Sequence, residues 1–334
     1  MFGFGIKKLP SRAAVAPLRP RTVPLINAEL LMALEKLGLF AYANDHPALS
    51  APAAARELKL RPDLLLAACD FLAEENIFEK TGPDTFRLAV DYHLVLEAQN
   101  NYFLAYKAVY ESFAELLDGS KRYGKDVVRD ATRLGFGTRR SIPFLVQRFK
   151  ELGIRTALDI GCGRGNFLFA LAEAIPGFRG IGIEIDRATV AFAEERIKTS
   201  PRRESIKVFE GDAAHPELFP KEAEAAEAFY GVAIFHELKK SGKLVPAFRE
   251  YKKKLPRAKF FLIEFDTPPW DELLREPDTQ LRHEAAQYLL THYFTEQGLP
   301  QAKADWVKTL KEAGWDVRAV HDDLPMRLTV FECE

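Results

Sequence analysis

Three glycines at alternate positions follow a short apolar run in the middle of the chain. Gly161, Gly163 and Gly165 stand directly after residues 156–160, so a strand is expected to end here, turn tightly and enter a helix. Glycine permits the backbone angles of such a turn and leaves room for a ligand against the main chain. The G-x-G-x-G spacing differs from the dinucleotide fingerprint and from the phosphate loop. The carboxylate of Asp159, just before the turn, favours a ligand that carries positive charge.

Two further carboxylates follow the next two predicted strands. Glu184 ends the strand predicted at 179–184, and Asp212, with Ala213 after it, follows the strand predicted at 206–210. Ligands of an open parallel sheet bind beyond the carboxyl ends of its strands, where a carboxylate can accept hydrogen bonds from a ribose diol. We therefore expect Glu184 to bind a ribose and Asp212 to accept from an exocyclic amine of a purine. The alternative for each is a solvated acid at a strand end.

A histidine and an acid stand at the ends of the fourth and fifth predicted strands. His236 follows residues 228–235, and Glu264 lies within residues 259–265. A histidine titrates near neutrality and can take a proton, while an acid on its other ring nitrogen fixes the tautomer. The pair is a candidate general base with its orienting acid, and the alternative is a structural histidine. The sequence has no serine or cysteine nucleophile motif and no histidine cluster with metal spacing, so no metal site is predicted.

These side chains require strands that alternate with helices. After residue 151, apolar runs and helical patterns alternate, which predicts a parallel sheet with helices on both faces. The short link at 322–325 allows the last two strands to form an antiparallel hairpin. The predicted fold of residues 151–334 is α/β: a Rossmann-like, doubly wound, seven-stranded sheet with an antiparallel edge strand. Its strands are predicted at 156–160, 179–184, 206–210, 228–235, 259–265, 316–321 and 326–332, and its helices near 166–174, 188–199, 243–253, 279–294 and 303–313.

The first part of the chain has a different pattern. Three short helical segments followed by a strand, a turn and a strand predict a mainly α-helical winged-helix domain over residues 23–90. Its third helix carries the acids Asp70, Glu74 and Glu75 and no lysine or arginine, which does not suit a helix lying beside phosphates. We therefore expect this domain to dimerise or to line a substrate pocket, and not to bind nucleic acid. Residues 1–22 contain bases and prolines but no acid and are expected to form a flexible arm.

Aromatic residues mark two segments as candidates for a substrate pocket. Tyrosines recur at four-residue spacing within residues 91–150, a predicted helical linker that lines the pocket, and a tyrosine and a histidine do so within residues 279–294. Residues four apart share a helix face. These side chains either contact the substrate or pack between helices. The predicted substrate contacts are Tyr102, Tyr106, His283, Tyr288 and His292.

Composition excludes several function classes. The 334 residues carry a net charge of −1 and are 47% hydrophobic, which is enough for a sizeable core but gives no field that attracts nucleic acid or an anionic membrane. The cysteines Cys69, Cys162 and Cys333 lie far apart, which argues against a disulfide framework and favours a reducing, cytoplasmic compartment. No apolar run reaches the roughly 18 residues that a membrane span needs.

The residues around the glycine turn resemble a known family. Residues 157–165 are similar to motif I of the class I S-adenosylmethionine-dependent methyltransferases, residues 182–184 to their ribose-binding acid, and residues 211–212 to their adenine-contacting loop. The resemblance implies S-adenosylmethionine as cofactor, and it accounts for Asp159, because this cofactor brings an ammonium and a sulfonium instead of phosphates. The implied cofactor-binding residues are Asp159, Gly161, Gly163, Gly165, Glu184, Ile185, Asp212, Ala213 and Phe235.

From about residue 23, the chain also resembles small-molecule O-methyltransferases of the plant caffeic-acid type and the bacterial polyketide and phenazine type. Residues 233–238 are similar to their histidine-aspartate-tryptophan motif, with Glu237 and Leu238 in place of the aspartate and the tryptophan. The resemblance implies methyl transfer to a hydroxyl or phenol of a secondary metabolite, with His236 as general base oriented by Glu264. It also implies a homodimer formed through the N-terminal domain.

Two other functions stay open at this point. An enzyme with this fold and cofactor can methylate carbon or nitrogen, or can use the sulfonium charge to assist a rearrangement, a decarboxylation or a hydroxylation. The altered motif at Glu237 and the segment 278–298, which has no counterpart in the family pattern, leave room for such chemistry. The second alternative is a winged-helix regulator whose cofactor domain is a sensor, and the acidic third helix argues against it.

Overall fold

The computed structural model describes residues 19–135, 137–295, 298–322 and 328–334. The chain divides into two compact units, residues 1–104 and residues 105–334. Most of the predicted arm, residues 1–18, lies outside the described residues, and its last four residues begin the first helix. Within the described ranges, no helix is long and apolar enough to cross a membrane.

Between residues 19 and 88, the first unit contains four helices and a small antiparallel sheet. Gly38 separates the first two helices with a left-handed backbone (φ 78°), a conformation that glycine adopts without strain. The sheet has the strand order β1-β3-β2, with both pairs antiparallel. The elements are α1 (Arg19–Lys36), α2 (Leu39–Asp45), β1 (Leu49–Ser50), α3 (Ala51–Glu57), α4 (Pro62–Glu74), β2 (Phe78–Lys80) and β3 (Thr85–Leu88).

The core of the first unit brings its helices onto the β2–β3 hairpin. Phe40 and Phe78 stack with their ring centroids 6.0 Å apart, and Phe86 packs against Phe78 at 6.1 Å. The predicted acidic helix is α4, and its Asp70 forms an ion pair with Lys80 of β2 at 2.6 Å. Part of the negative charge that disfavours nucleic acid is therefore balanced within the unit itself.

The second unit is built on a seven-stranded sheet with the order β6-β5-β4-β7-β8-β10-β9. The first five strands in this order are mutually parallel, and β10 is antiparallel to both β8 and β9. The predicted doubly wound sheet with an antiparallel strand at one side is confirmed. Its strands are β4 (Thr156–Ile160), β5 (Arg179–Glu184), β6 (Ile206–Glu210), β7 (Ala228–Val232), β8 (Lys259–Phe265), β9 (Val317–His321) and β10 (Leu328–Cys333).

Helices cover both faces of this sheet. Neighbouring strand residues alternate between two apolar clusters, with Phe229 and Phe260 in one and Tyr230 and Phe261 in the other, as the two-residue period of a strand requires. The helices from residue 97 onward, not all of which lie against the sheet, are α5 (Glu97–Glu111), α6 (Phe113–Leu117), α7 (Ile142–Leu152), α8 (Asn166–Ala174), α9 (Arg187–Thr199), α10 (Leu244–Lys254), α11 (Trp270–Leu273), α12 (Thr279–Phe294) and α13 (Lys303–Glu312).

The main departure from the sequence prediction is at the end of β7. The strand was predicted to run over residues 228–235 but ends at Val232. Ala233 has a left-handed backbone (φ 54°), and the chain then folds back into a 3-10 turn, Phe235–Leu238. The ring of Phe235 returns over Gly231, where an added Cβ atom would come within 2.4 Å of it. Glycine at this position therefore makes room for the fold-back.

Candidate active site

The glycine turn between β4 and α8 is built by the main chain. Gly161, Gly163 and Gly165 have φ angles of 68°, 53° and 75°, which residues with side chains rarely adopt. The amide nitrogens of Gly161 and of the next residue donate to the carbonyl oxygen of Ile183 on β5, at 2.8 and 3.0 Å. The turn is thus fixed to the neighbouring strand, and the predicted strand, turn and helix are all present.

Asp159 is a buried acid with an unsatisfied oxygen. Its side chain is 2% exposed, and neither its Oδ2 atom nor the hydroxyl of nearby Tyr230 has a hydrogen-bond partner. Burial raises the pKa of Asp159 well above its usual range; the neighbouring Tyr230 lowers it in part, and the charge of Glu184 raises it further. A cation or a further donor at Oδ2 would stabilise the carboxylate in this position.

Glu184 holds the end of β5 against the turn. Its Oε2 atom accepts from the amide of Gly163 and its Oε1 atom accepts from the amide of Asp186, both at 3.0 Å. Burial raises the pKa of Glu184, and these two amides oppose the shift. The next side chain, Ile185, is 64% exposed, so an apolar group stands open beside the carboxylate.

The loop after β6 carries the third predicted carboxylate. Oδ1 of Asp212 accepts from the amide of Ala214 at 2.8 Å, and the carbonyl oxygen of Ala213 accepts from the hydroxyl of Tyr251 at 2.9 Å. The parallel strands β4, β5 and β6 therefore end in the glycine turn, Glu184 and this loop, in the order that the sequence predicted.

His236 lies in the 3-10 turn after β7, and Glu264 lies on the adjacent strand β8. The Nδ1 atom of His236 is 2.9 Å from Oε2 of Glu264, and both residues are almost fully buried. The other carboxylate oxygen, Oε1, accepts from the backbone amides of Phe235 and His236 at 2.7 and 3.2 Å. The predicted contact between His236 and Glu264 is present.

Two glycines allow the chain to pack closely around His236. An added Cβ atom at Gly161 would lie 2.8 Å from the side chain of Ile234, two residues before His236. At Gly298, after α12, it would lie 2.0 Å from the carbonyl oxygen of His236. The glycine turn thus abuts the segment that carries His236, which brings the candidate base to the same edge of the sheet as the turn.

The electrostatics favour the charged form of His236. Burial acts to lower its pKa, but the charge and hydrogen bond of Glu264, together with the charge of Glu237, outweigh burial, while Arg129 opposes them. The net pKa is raised from the ordinary value of 6.5. A buried imidazolium is tolerated here because a buried carboxylate faces it.

Helix α12 places a second histidine on the other side of the ring. The Nε2 atoms of His236 and His292 are 3.1 Å apart, and the Nδ1 atom of His292 is 2.8 Å from the carbonyl oxygen of Tyr288. The ring of Tyr288 lies 4.2 Å from that of His292 and 4.3 Å from that of Phe265. The sequence predicted that Tyr288 and His292 share a helix face, but it gave no sign that His292 meets His236.

An arginine that the sequence reasoning missed also lies in this region. Arg129 donates to Oε1 of Glu237 at 2.9 Å and to the hydroxyl of Tyr106 at 3.4 Å. Burial raises the pKa of Tyr106 to about 12, although the nearby Arg129 acts to lower it. The replacement of the family's aspartate by Glu237 was the one available signal, and it did not indicate a partner more than 100 residues away.

The remaining predicted residues lie in other surroundings. Phe235 is fully buried, and its ring packs against Phe248 and Phe260, with centroids 5.0 and 5.6 Å apart. His283 is exposed on α12. Tyr102 belongs to the first unit, where it is half-buried beside Phe103. Their roles stay predictions. Among the described residues, no cluster of three or more histidine, cysteine, aspartate or glutamate side chains is arranged to hold a metal ion.

One comparison covers the residues that carry the glycine turn and His236. Residues 157–257 match the methyltransferase domain family. The nocamycin O-methyltransferase of Saccharothrix syringae is 31% identical over 191 residues, which are 51% of this chain and 62% of that protein. The chain therefore matches less than two thirds of the length of this curated relative.

Solved structures share the fold over nearly the whole chain. Human N-acetylserotonin methyltransferase, solved in complex with S-adenosylmethionine, superposes with a TM-score of 0.72 at 13% identity, covering 100% of this chain and 99% of that one. Mitomycin 7-O-methyltransferase superposes with a TM-score of 0.65 at 17% identity, covering 96% and 98%. Residues 157–257 are thus similar to a methyltransferase domain, the matched part of the chain is similar to an O-methyltransferase, and the fold of the chain is that of these solved methyltransferase structures.

Proposed function

We propose that the protein transfers the methyl group of S-adenosylmethionine to a hydroxyl or phenol of a small secondary metabolite, with His236 as general base and Glu264 as its positioning acid. The observation that carries the proposal is the buried Glu264–His236 contact of 2.9 Å on a segment that abuts the glycine turn. The curated relative is itself an O-methyltransferase, which favours oxygen as the acceptor atom.

The residues around the glycine turn fit the proposed cofactor. The unsatisfied oxygen of buried Asp159 gains a partner from a cationic amino acid moiety, and the glycines, which have no side chain, leave the main chain open to close approach. Glu184 presents a carboxylate at the strand end, where a ribose diol binds in this class of sheet, and the exposed Ile185 offers an apolar contact to a purine. When bound, the sulfonium supplies an already activated methyl group.

The protein's own task is then to orient the acceptor and hold a proton. Neutral His236 takes the hydroxyl proton at Nε2, and the carboxylate of Glu264 stabilises the imidazolium that results. Burial excludes water from the pair, which strengthens this electrostatic contact. The rings of Tyr288 and Phe265, 4.3 Å apart, provide an aromatic wall for a flat acceptor.

The test separates binding of the cofactor from chemistry. We expect calorimetry to show that the unmodified protein binds S-adenosylmethionine, and we expect S-adenosylhomocysteine to form with an accepted hydroxylated substrate. His236→Ala should lower turnover by about 10²–10⁴-fold, the usual scale of general base catalysis, and leave cofactor affinity within about twofold. Unchanged turnover in this variant removes His236 from the base role, and absence of cofactor binding by the unmodified protein refutes the whole proposal.

A further inference from the structure

The hydrogen bonds of His292 determine which of its ring nitrogens carries a proton. Its Nδ1 atom faces the carbonyl oxygen of Tyr288 at 2.8 Å, and a carbonyl oxygen can only accept. Nδ1 of His292 is therefore the donor, and in the neutral ring Nε2 has the lone pair. This lone pair faces Nε2 of His236 at 3.1 Å, so the proton between the two rings belongs to His236.

The other nitrogen of His236 also carries a proton. Its Nδ1 atom faces Oε2 of Glu264 at 2.9 Å, and Oε1 of that acid accepts from two backbone amides. Hydrogen bonds from amides favour the ionised carboxylate, which can only accept. His236 thus donates from both nitrogens and is an imidazolium in this arrangement, held between a carboxylate and a neutral histidine.

The charges around the two rings agree with this distribution of protons. Burial lowers the pKa of His292 to about 3, and the charges of His236 and Arg129 act in the same direction. The hydrogen bond to the Tyr288 carbonyl opposes this shift. For His236, burial is outweighed by Glu264 and Glu237, so its pKa is raised. Both directions agree with the proton positions that the hydrogen bonds indicate, a charged His236 beside a neutral His292.

A protonated His236 that already donates to His292 is not ready to act as a base. The acceptor hydroxyl has to reach Nε2 of His236, and His292 occupies that position in the structure. We propose that His292 is a positioning residue that holds His236 in its protonated form and occupies the acceptor's place until the acceptor displaces it. This inference rests on the proposed role of His236 as the base.

The proton balance of a turnover follows from this contact. Displacement of His292 removes the acceptor of the Nε2–H group, and the proton leaves to water as the site opens. During transfer the O–H bond of the substrate breaks, its proton moves to Nε2 of His236, and the O–CH₃ bond forms as the S–CH₃ bond breaks. When the product leaves, His292 returns and accepts from the imidazolium, which restores the arrangement seen here.

The first experiment observes the pair without any substrate. In protein labelled with ¹⁵N-histidine at pH 7, we expect both nitrogens of His236 to be protonated and a coupling across the hydrogen bond to join its Nε2 to Nε2 of His292. The coupling should be lost in His292→Gln, which has an amide in place of the ring. A neutral His236, or absence of the coupling in the unmodified protein, overturns the inference whether or not any methyl transfer is found.

The second experiment uses the pH profile of kcat/KM. His292→Phe keeps the ring but has no lone pair, so the imidazolium of His236 loses its acceptor, its pKa falls, and the acidic limb moves down by about one pH unit. His292→Gln keeps an acceptor oxygen and should leave the limb in place. An unshifted limb in the phenylalanine variant contradicts the inference, and so does an equal shift in both variants.

A control separates these effects from general damage. His46→Gln replaces an exposed histidine in the first unit that contacts Tyr42 and should leave the pH profile unchanged. If His236→Ala retains full turnover, the proposed base is wrong, whereas the labelled-histidine spectrum still reports whether the two rings share a proton. The two proposals therefore fail on different measurements.

Discussion

The glycine turn and the surroundings of His236 offer different kinds of chemical groups to a ligand. At the turn, the groups offered to a ligand are main-chain amides held by positive φ angles and two carboxylates at strand ends. Around His236, the groups are long side chains from separate elements, including Glu264 on β8, His292 on α12 and Arg129 from a loop. The first side is a local feature of the backbone, and the second is a network that exists only once the chain has folded.

This difference determines how each side responds to substitution. A main-chain turn is disrupted by an added Cβ atom, because that atom clashes with its neighbours and strains the backbone. A buried network of charges is damaged by a change in one proton or one charge, because an unpaired buried charge costs about 3–5 kcal/mol. The glycine side should therefore fail through shape and the His236 side through protonation, and three substitutions test this.

The largest effect is expected for Glu264→Gln. The glutamine oxygen can still accept from the amides of Phe235 and His236, but its amide group then donates to Nδ1 of His236 and forces the proton onto Nε2. With Nε2 protonated in the neutral ring, His236 cannot act as the base, and turnover should fall by about 10³–10⁴-fold. Steady-state kinetics and calorimetry check this, since cofactor affinity should be unchanged.

Glu173→Gln is the matched control for that substitution. It makes the same chemical change at an exposed position on α8 and should leave turnover unaffected. A loss of less than tenfold in Glu264→Gln, or a loss in the control, would show that the charge of Glu264 does not set the tautomer of His236.

The same contrast explains how much the sequence could predict. The turn at 161–165, Glu184 and Asp212 each follow an apolar run, so the position of a strand end fixes where they lie. His236 and Glu264 were also found this way, because Glu264 lies near the end of β8 and His236 lies in the turn that follows β7. The position of each residue relative to a strand can be predicted from the neighbouring sequence, so no long-range contact had to be known.

The contacts of His292 and Arg129 could not be found by that reasoning. His292 lies on a helix, and periodicity shows which residues share its face but not what that face meets. Arg129 reaches Glu237 from a loop without regular spacing. The end of β7 was misjudged for a related reason, since the fold-back at Ala233 depends on the packing of Phe235 over Gly231 and not on strand propensity.

The second prediction tests shape at the turn with a pair of glycines. Gly161 and Gly177 have similar φ angles, 68° and 74°, so alanine costs each about 1–2 kcal/mol of backbone strain. Only at Gly161 would the new Cβ atom meet another side chain, that of Ile234 at 2.8 Å; at Gly177 there is nothing within 4 Å. Gly161→Ala should therefore lower the free energy of unfolding by about 1–3 kcal/mol more than Gly177→Ala.

Thermal denaturation and calorimetry separate the two variants. Gly161→Ala should also weaken S-adenosylmethionine binding by at least about tenfold, because Ile234 and the turn have to move apart. Gly177→Ala should bind as the unmodified protein does. Equal losses in both variants would mean that backbone strain alone, and not the contact with the His236 segment, makes glycine necessary at 161.

The smallest effect is expected for Asp159→Asn, and it has opposite signs in stability and binding. Because the pKa of Asp159 is raised in the folded protein, the folded state binds more protons than the unfolded state above about pH 4. The contribution of Asp159 to the free energy of unfolding therefore falls as the pH rises from about 4 to the raised pKa. The neutral amide avoids this cost, so the cofactor-free variant should melt a few degrees higher at pH 7, on the scale of about 2–4 °C per kcal/mol.

In the same variant, cofactor affinity should fall about tenfold, since the cation loses its carboxylate. Melting curves of both proteins between pH 4 and 8 test this expectation. If the variant is less stable than the unmodified protein across this range, Asp159 stabilises the fold, and its burial is not a cost that a cationic ligand relieves.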